Sequence, residues 1–284
     1  MTKKKSILIT GCSTGIGYCV AHGLEQRGYR VFASARKQED VERLRNEGLE
    51  SLHLDLADPL SIKNAITRLL QETGGELYAL FNNGAYGQPG ALEDVSTEDL
   101  RKQFETNVFG WHELTNLVLP IMRKQGYGRI IQNSSILGLV CLPYRGAYNA
   151  SKYALEALSD TMRLELKNTG IFISLIEPGP ITSSFRKNAH KAYMENINKE
   201  MSAHREIYNK LEQRLTKPGP AVPFTLPAEA VAKKVLHALQ SKQPKIRYYV
   251  TFPTYLFATL RHFLSYKTMD RILFNVGDGN INKK

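Results

Sequence analysis

The chain has 284 residues, 42% apolar and 23% charged, the profile of a soluble globular protein with a core of its own. At this size roughly two-thirds to three-quarters of the unfolded surface can be buried, so neither a disulfide nor a structural metal is needed. The net charge is +11, which suits nucleic acid, an anionic membrane surface or an anionic small molecule; the excess is spread and neither zinc-finger spacing nor an aromatic ribonucleoprotein motif accompanies it, so a basic surface around a phosphate-bearing cofactor with ordinary solvated lysines is expected.

The N-terminal apolar stretch, Ile7 to Ile9, is too short for a signal peptide. Cys12, Cys19 and Cys141 are an odd, widely spaced set, which points to a reducing, cytoplasmic setting. No metal site is expected.

In chain order, β-rich runs at 6–10, 30–35, 49–54, 77–82, 129–134 and 172–177 alternate with helical stretches, notably 97–124 and 147–168. This rhythm predicts an α/β fold: a single-domain, Rossmann-type, doubly wound parallel sheet. Ile7-Leu8-Ile9 and Ile171-Phe172-Ile173 are apolar on both faces, as buried strands require. Residues 183–225 break the rhythm with a polar helical stretch closed by a Pro/Gly cluster, expected to be a mobile helical substrate-lid insertion over the cleft. A helix at 228–240 and a strand near 246–250 return to the fold, and 251–284 form an aromatic, basic C-terminal extension. The most apolar late stretch, 248–260, has thirteen residues and cannot span a bilayer, which takes roughly 20.

Gly11, Ser13, Thr14, Gly15, Ile16 and Gly17 follow the first strand and open a helix. Glycines there let backbone approach a pyrophosphate, and the helix start offers free N–H groups. A dinucleotide is therefore expected. Where NAD-binding chains place an acidic residue after the second strand, this chain has Ala35, then Arg36 and Lys37. A guanidinium can clamp a 2′-phosphate that a carboxylate would repel, so NADP is the expected cofactor with Arg36 its main contact. Asp55, after the third strand, could accept from the adenine amine or be a plain turn residue.

Tyr148 and Lys152 lie four apart near a helix start and so share a face. An ammonium beside a phenol lowers the phenol's pKa and suits it to give a proton to a carbonyl oxygen. Ser135, just past the fifth strand, can hold that oxygen against Tyr148.

With these residues in place the chain resembles the short-chain dehydrogenase/reductase family. The residues that carry the resemblance are Thr10-Gly11, Gly15-Ile16-Gly17, Asn82-Asn83-Gly84-Ala85, Asn107, Ser134-Ser135, Tyr148, Lys152 and Pro178-Gly179. It implies that Tyr148 is the acid/base, that Lys152 binds the nicotinamide ribose, that Ser135 orients substrate and that Asn107 helps hold a relay water. It implies further cofactor contacts from Asn82, Asn83 and Gly84, and from Pro178, Gly179, Ile181 and Ser183. Two departures stand out. The glycine of the usual Asn-Asn-Ala-Gly sits one place early, and the hydroxyl after Pro-Gly falls on either Thr182 or Ser183. Within the family the motifs are most similar to bacterial NADP-dependent aldehyde reductases and to 17β-hydroxysteroid and retinol dehydrogenases.

The run from Ile136 to Ala147, with Tyr86, Phe185 and Tyr193, suggests an apolar pocket for a lipophilic aldehyde, ketone or alcohol. Leu139, Val140 and Leu142 could equally pack against the fold or a partner subunit. The tail aromatics are expected to pack over the pocket or a dimer partner rather than on a membrane. A homodimer or homotetramer is expected. A membrane-associated steroid- or retinoid-type dehydrogenase and a non-catalytic NADP(H) sensor are the alternatives; a sensor would have no need of Ser135, Tyr148 and Lys152 together.

Overall fold

Seven short strands assemble side by side, the inner ones apolar and buried on both faces and the two edge strands only partly buried. The computed structural model describes residues 4–277; the ends of the chain, including the last seven residues of the expected extension, lie outside them. The strands are β1 (Ser6–Ile9), β2 (Arg30–Ala35), β3 (Glu50–His53), β4 (Ala79–Asn82), β5 (Gly128–Asn133), β6 (Ile171–Glu177) and β7 (Arg247–Tyr249). They form one sheet in the order β3-β2-β1-β4-β5-β6-β7, every pairing parallel. The strand order reverses between β1 and β4, and a crevice opens there at the carboxyl edge.

Helices cover both faces. Ile7 and Ile9 of β1 face a layer containing α1 (Gly15–Glu25), α2 (Gln38–Asn46) and α9 (Glu229–Gln240). Leu8, between them, faces α3 (Pro59–Thr73), α5 (Gly110–Gln125) and α6 (Gly146–Glu165). This alternation is the pleat read directly off three consecutive residues.

The long helical run expected at 97–124 is interrupted. It divides into α4 (Thr97–Phe104), a π-helical turn over Glu105–Phe109, and α5. The break has a local cause. The Asn107 side chain bonds the backbone of Tyr86 at both ends, its Oδ1 accepting from the N–H at 3.2 Å and its Nδ2 donating to the carbonyl at 2.9 Å. A residue bulged inward in this way needs the wider π turn.

The insertion contains α7 (Phe185–Asn196) and α8 (Arg205–Thr216), which bury Tyr193, Tyr208, Leu211 and Leu215 against Ala91 and Val95. Its polar surface conceals this small core. Two further helices, α10 (Phe252–Phe263) and α11 (Tyr266–Gly277), pack Phe257, Met269 and Leu273 on Val140. Among the described residues no helix is long and apolar enough to cross a membrane.

Candidate active site

The loop between β1 and α1 owes its path to its glycines. Gly11 and Gly15 have φ of 69° and 63°, the left-handed region that a side chain disfavours. Gly17 is required by proximity: a Cβ there would meet the Gly11 carbonyl oxygen at 2.3 Å. Thr14 precedes α1 without a side-chain cap, which leaves the first N–H groups of the helix directed at the cleft. These features fit a pyrophosphate. The Ser13 carbonyl is held by the Arg43 guanidinium at 2.6 Å, and Ile16 packs on the core beneath the loop.

The early glycine of Asn82-Asn83-Gly84-Ala85 is explained by space. Gly84 does not have a positive φ. A Cβ there would come within 3.0 Å of Leu56 and 3.2 Å of the Gly11 nitrogen, so Gly84 lets the phosphate loop and this segment touch. Asn83 ties the two together: its amide donates to the Thr10 and Gly11 carbonyls at 2.9 and 3.2 Å and accepts from Asn133 at 2.8 Å. The Asn82 side chain corrects the expectation that it faces the cofactor. It is fully buried and donates to Thr115 and Gln132, because β4 alternation turns it into the layer beneath α5.

Arg36 and Lys37 stand exposed after β2. Lys37 pairs with Glu39 at 3.0 Å, whereas among the described residues no carboxylate pairs with Arg36. Its charge reaches the Tyr86 phenol, which burial nevertheless pushes up to about 12. The Asp55 carboxylate accepts from the Ala57 N–H at 3.0 Å, a turn contact.

Ser135, Tyr148, Lys152 and Asn107 are brought together at the carboxyl edge. The Ser135 hydroxyl accepts from the Leu137 N–H at 3.1 Å. Lys152, almost fully buried, donates to the Asn133 carbonyl at 2.7 Å and lies 5.6 Å from the centre of the Tyr148 ring. Asn107 joins this wall by donating to Ser151 at 3.2 Å.

The electrostatics correct the expectation that Lys152 draws the Tyr148 phenol down. Burial dominates and pushes that phenol well above its ordinary value, with a smaller opposing pull from the Ser135 hydroxyl. Burial likewise pushes the Lys152 ammonium down to about 7, against the pull of Glu156. Burial thus works against the charged form of both groups, and positive charge brought into the cleft would favour the phenolate.

The loop after β6 completes the cleft. The Pro178 carbonyl accepts from the Ile136 N–H at 2.8 Å, and a Cβ on Gly179 would strike the Thr251 hydroxyl at 2.1 Å. Ile181 bridges to Leu226 and half-buries against the α1 layer. Ser183 lies against Gly15, whose added Cβ would meet its Cβ at 3.0 Å; Thr182 instead turns outward, its N–H on the Leu226 carbonyl. Ser183 is thus the hydroxyl beside the phosphate loop.

Phe185 packs edge-on to Tyr148, ring centres 5.2 Å apart. Tyr193 does not join it, contrary to expectation: it is buried in the insertion's own core with its hydroxyl on Glu212 at 3.0 Å. Leu139, Val140 and Leu142 resolve toward packing, with Val140 and Leu142 meeting α10 and α11.

Several contributors carry no motif. Trp111 lies beneath Lys152 and donates to the Gly84 carbonyl at 2.8 Å; its being the chain's single tryptophan was the available signal. One turn beyond Lys152, Glu156 meets Arg247 at 3.0 Å, and Arg247 meets the buried Glu177 at 3.0 Å and Asp160 at 2.6 Å. Burial pushes both glutamates above the usual carboxylate range.

A parallel sheet with a glycine-bearing phosphate loop and a Ser–Tyr–Lys wall at its reversal point defines a dinucleotide-dependent oxidoreductase fold. The family model described as short chain dehydrogenase matches residues 5–194, and the chain belongs to that family. It is 43% identical to "Uncharacterized oxidoreductase YbbO" of Escherichia coli K12, over 95% of this chain and 94% of that one. It is 31% identical to the "NADPH-dependent 3-dehydrocapnine reductase" of Ornithobacterium rhinotracheale, over 94% and 95% of the two chains. A short chain dehydrogenase/reductase from Burkholderia phymatum, solved in complex with NAD, superposes with a TM-score of 0.76 at 26% identity, covering 95% of each chain.

Proposed function

We propose that this chain is an NADP(H)-dependent oxidoreductase that interconverts a lipophilic aldehyde or ketone and its alcohol. The observation that carries this reading is the wall of Ser135, Tyr148 and Lys152 beside a phosphate loop made of glycines. Gly11, Gly15, Gly17 and the start of α1 would hold the pyrophosphate, Arg36 the 2′-phosphate, and Lys152 the nicotinamide ribose. When bound, the nicotinamide supplies or takes the hydride at the carbonyl carbon. Ser135 holds the substrate oxygen, and Tyr148 gives it a proton during reduction or takes one during oxidation. Phe185 over Tyr148 and the raised phenol support an apolar, water-poor pocket.

Arg36, with no carboxylate partner among the described residues, supports NADP over NAD, as does the NADPH dependence in the name of the 3-dehydrocapnine reductase. The NAD in the Burkholderia complex makes the cofactor the point to test. We also propose a cytoplasmic homodimer or homotetramer, which sedimentation velocity measures.

The test is oxidation of NADPH and NADH by the purified protein with a panel of medium-chain and aromatic carbonyls. NADPH should be preferred, Arg36→Ala should erase the preference, and Tyr148→Phe should lower the rate about 10²–10⁴-fold while cofactor still binds. A Tyr148→Phe variant at full rate would overturn the acid/base assignment, and an unchanged preference in Arg36→Ala the cofactor assignment.

A further inference from the structure

The outer face of α10 carries an aromatic ridge that the fold leaves uncovered. Tyr255, Leu256, Thr259 and Phe263 follow Phe252 by three, four, seven and eleven residues and so share one side of the helix with it, opposite the buried Thr254, Phe257 and Ala258. Phe252 is 56% exposed and Phe263 81%. Packing on Val140 uses only the inner side, so it does not account for the outer one. The ridge continues onto the end of the insertion: Phe224, also exposed, lies 5.0 Å from Phe252 between ring centres. Two residues later, Leu226 bridges to Ile181 at the edge of the cleft.

The charge around the ridge is mostly positive. Residues 229–271 contain eight Lys or Arg against two acids, Glu229 and Asp270, and one of the eight, Arg247, is already paired with Glu156, Asp160 and Glu177. Lys234 reaches the Tyr255 hydroxyl at 3.5 Å, Lys233 is exposed on the same helix, and Lys267 and Arg271 lie exposed four apart on α11 beside Phe274. Aromatic side chains with a surrounding field of cations match an acyl–headgroup boundary bearing negative charge.

We propose that the α10 ridge, with Phe224 and the flanking cations, docks the protein peripherally on an anionic lipid surface and brings the cleft beside it. This inference concerns where the protein sits and does not depend on the proposed carbonyl chemistry. The length of α10, twelve residues, suits lying in the interface and not crossing it.

The test is flotation of the full chain with vesicles of phosphatidylcholine alone or with about 30% phosphatidylserine, at low and high salt. Binding to the anionic vesicles, weakened at least tenfold by salt and by the double variant Phe252→Ser/Phe263→Ser, is the expected result. Both substituted side chains are exposed, so folding should survive, and oxidation of NADPH with a water-soluble aldehyde checks that it has. Absence of binding to anionic vesicles overturns the proposal, as does equal, salt-insensitive binding to neutral ones. A double variant that still floats while its sedimentation coefficient drops to that of a smaller species would assign the ridge to a second copy of the chain and overturn it too.

Discussion

The Lys152 ammonium stands 4.4 Å from the centre of the Trp111 indole while donating to the Asn133 carbonyl at 2.7 Å. The indole face favours the charged form of a lysine that burial holds down at about 7. Trp111→Leu removes that face and also the N–H that satisfies the Gly84 carbonyl. Lys152 should then titrate lower still, and the limb where carbonyl reduction fails as pH rises should move acidward. Trp111→Phe keeps a π face and should leave the limb nearly in place. Urea denaturation should show both variants destabilised, the leucine by roughly 2–4 kcal/mol for a large buried ring. Identical pH profiles in the two variants would remove the indole from any role in tuning Lys152.

Much of this arrangement is legible in the sequence itself. Ile7-Leu8-Ile9 announced a strand buried on both faces, and the spacing of Tyr148 and Lys152 put them on one helix side. What escaped were relationships made only by long-range contact. Nothing local distinguishes Asn82, which turns inward, from Asn83, which ties the phosphate loop, because one residue of register decides between them. Tyr193 looked like pocket lining because it is aromatic and near Phe185 in sequence; Glu212, nineteen residues on, holds it in a separate core. The Glu156–Arg247–Glu177 linkage joins three distant segments and carries no spacing signal.

That linkage and Lys152 should give stability two opposed pH slopes. The folded pKa of Lys152 lies below its ordinary 10.5, so between about pH 7 and 10.5 the unfolded chain binds more protons and stability rises with pH. The folded pKa of Glu177 lies above its ordinary 4.5, so upward from about pH 4.5 the folded chain binds more protons and stability falls with pH. Glu177→Gln imitates the protonated form. It should match the wild type at pH 4 and gain on it steadily toward neutrality, by on the order of 1–3 kcal/mol. Lys152→Met should gain most at pH 6 and lose that advantage by pH 10. Denaturation midpoints across pH 4–10 check both, and a Glu177→Gln difference that is flat with pH would show the carboxyl ionised in the fold.

Phe185 shields the Tyr148 phenol from water, its ring also touching the face of Gly87, where an added Cβ would come within 2.9 Å. Phe185→Ala should wet the phenol and relax part of the upward shift that burial imposes. A ring lost from an apolar wall should raise KM for a medium-chain aldehyde about five- to fiftyfold, while a two-carbon aldehyde that does not reach it changes little. Steady-state kinetics on the two substrates separates these; parallel changes in both would mean that Phe185 supports the insertion and not the pocket.

Two glycines of α1 should respond to alanine with opposite signs. A Cβ on Gly17 would fall 2.3 Å from the Gly11 carbonyl oxygen and 2.6 Å from the Asn83 amide nitrogen, both held in the bonds that shape the phosphate loop. Neither can retreat without opening that loop, so Gly17→Ala should cost about 1–3 kcal/mol or more and abolish cofactor binding. A Cβ on Gly23, two turns along the same helix, would meet only the Arg27 guanidinium, at 3.7 Å. Gly23→Ala should therefore stabilise the fold by about 0.5–1 kcal/mol through the helix preference alone. Urea denaturation with NADPH titration by fluorescence reads both effects. Tight NADPH binding by Gly17→Ala would mean that the pyrophosphate does not rest on this loop.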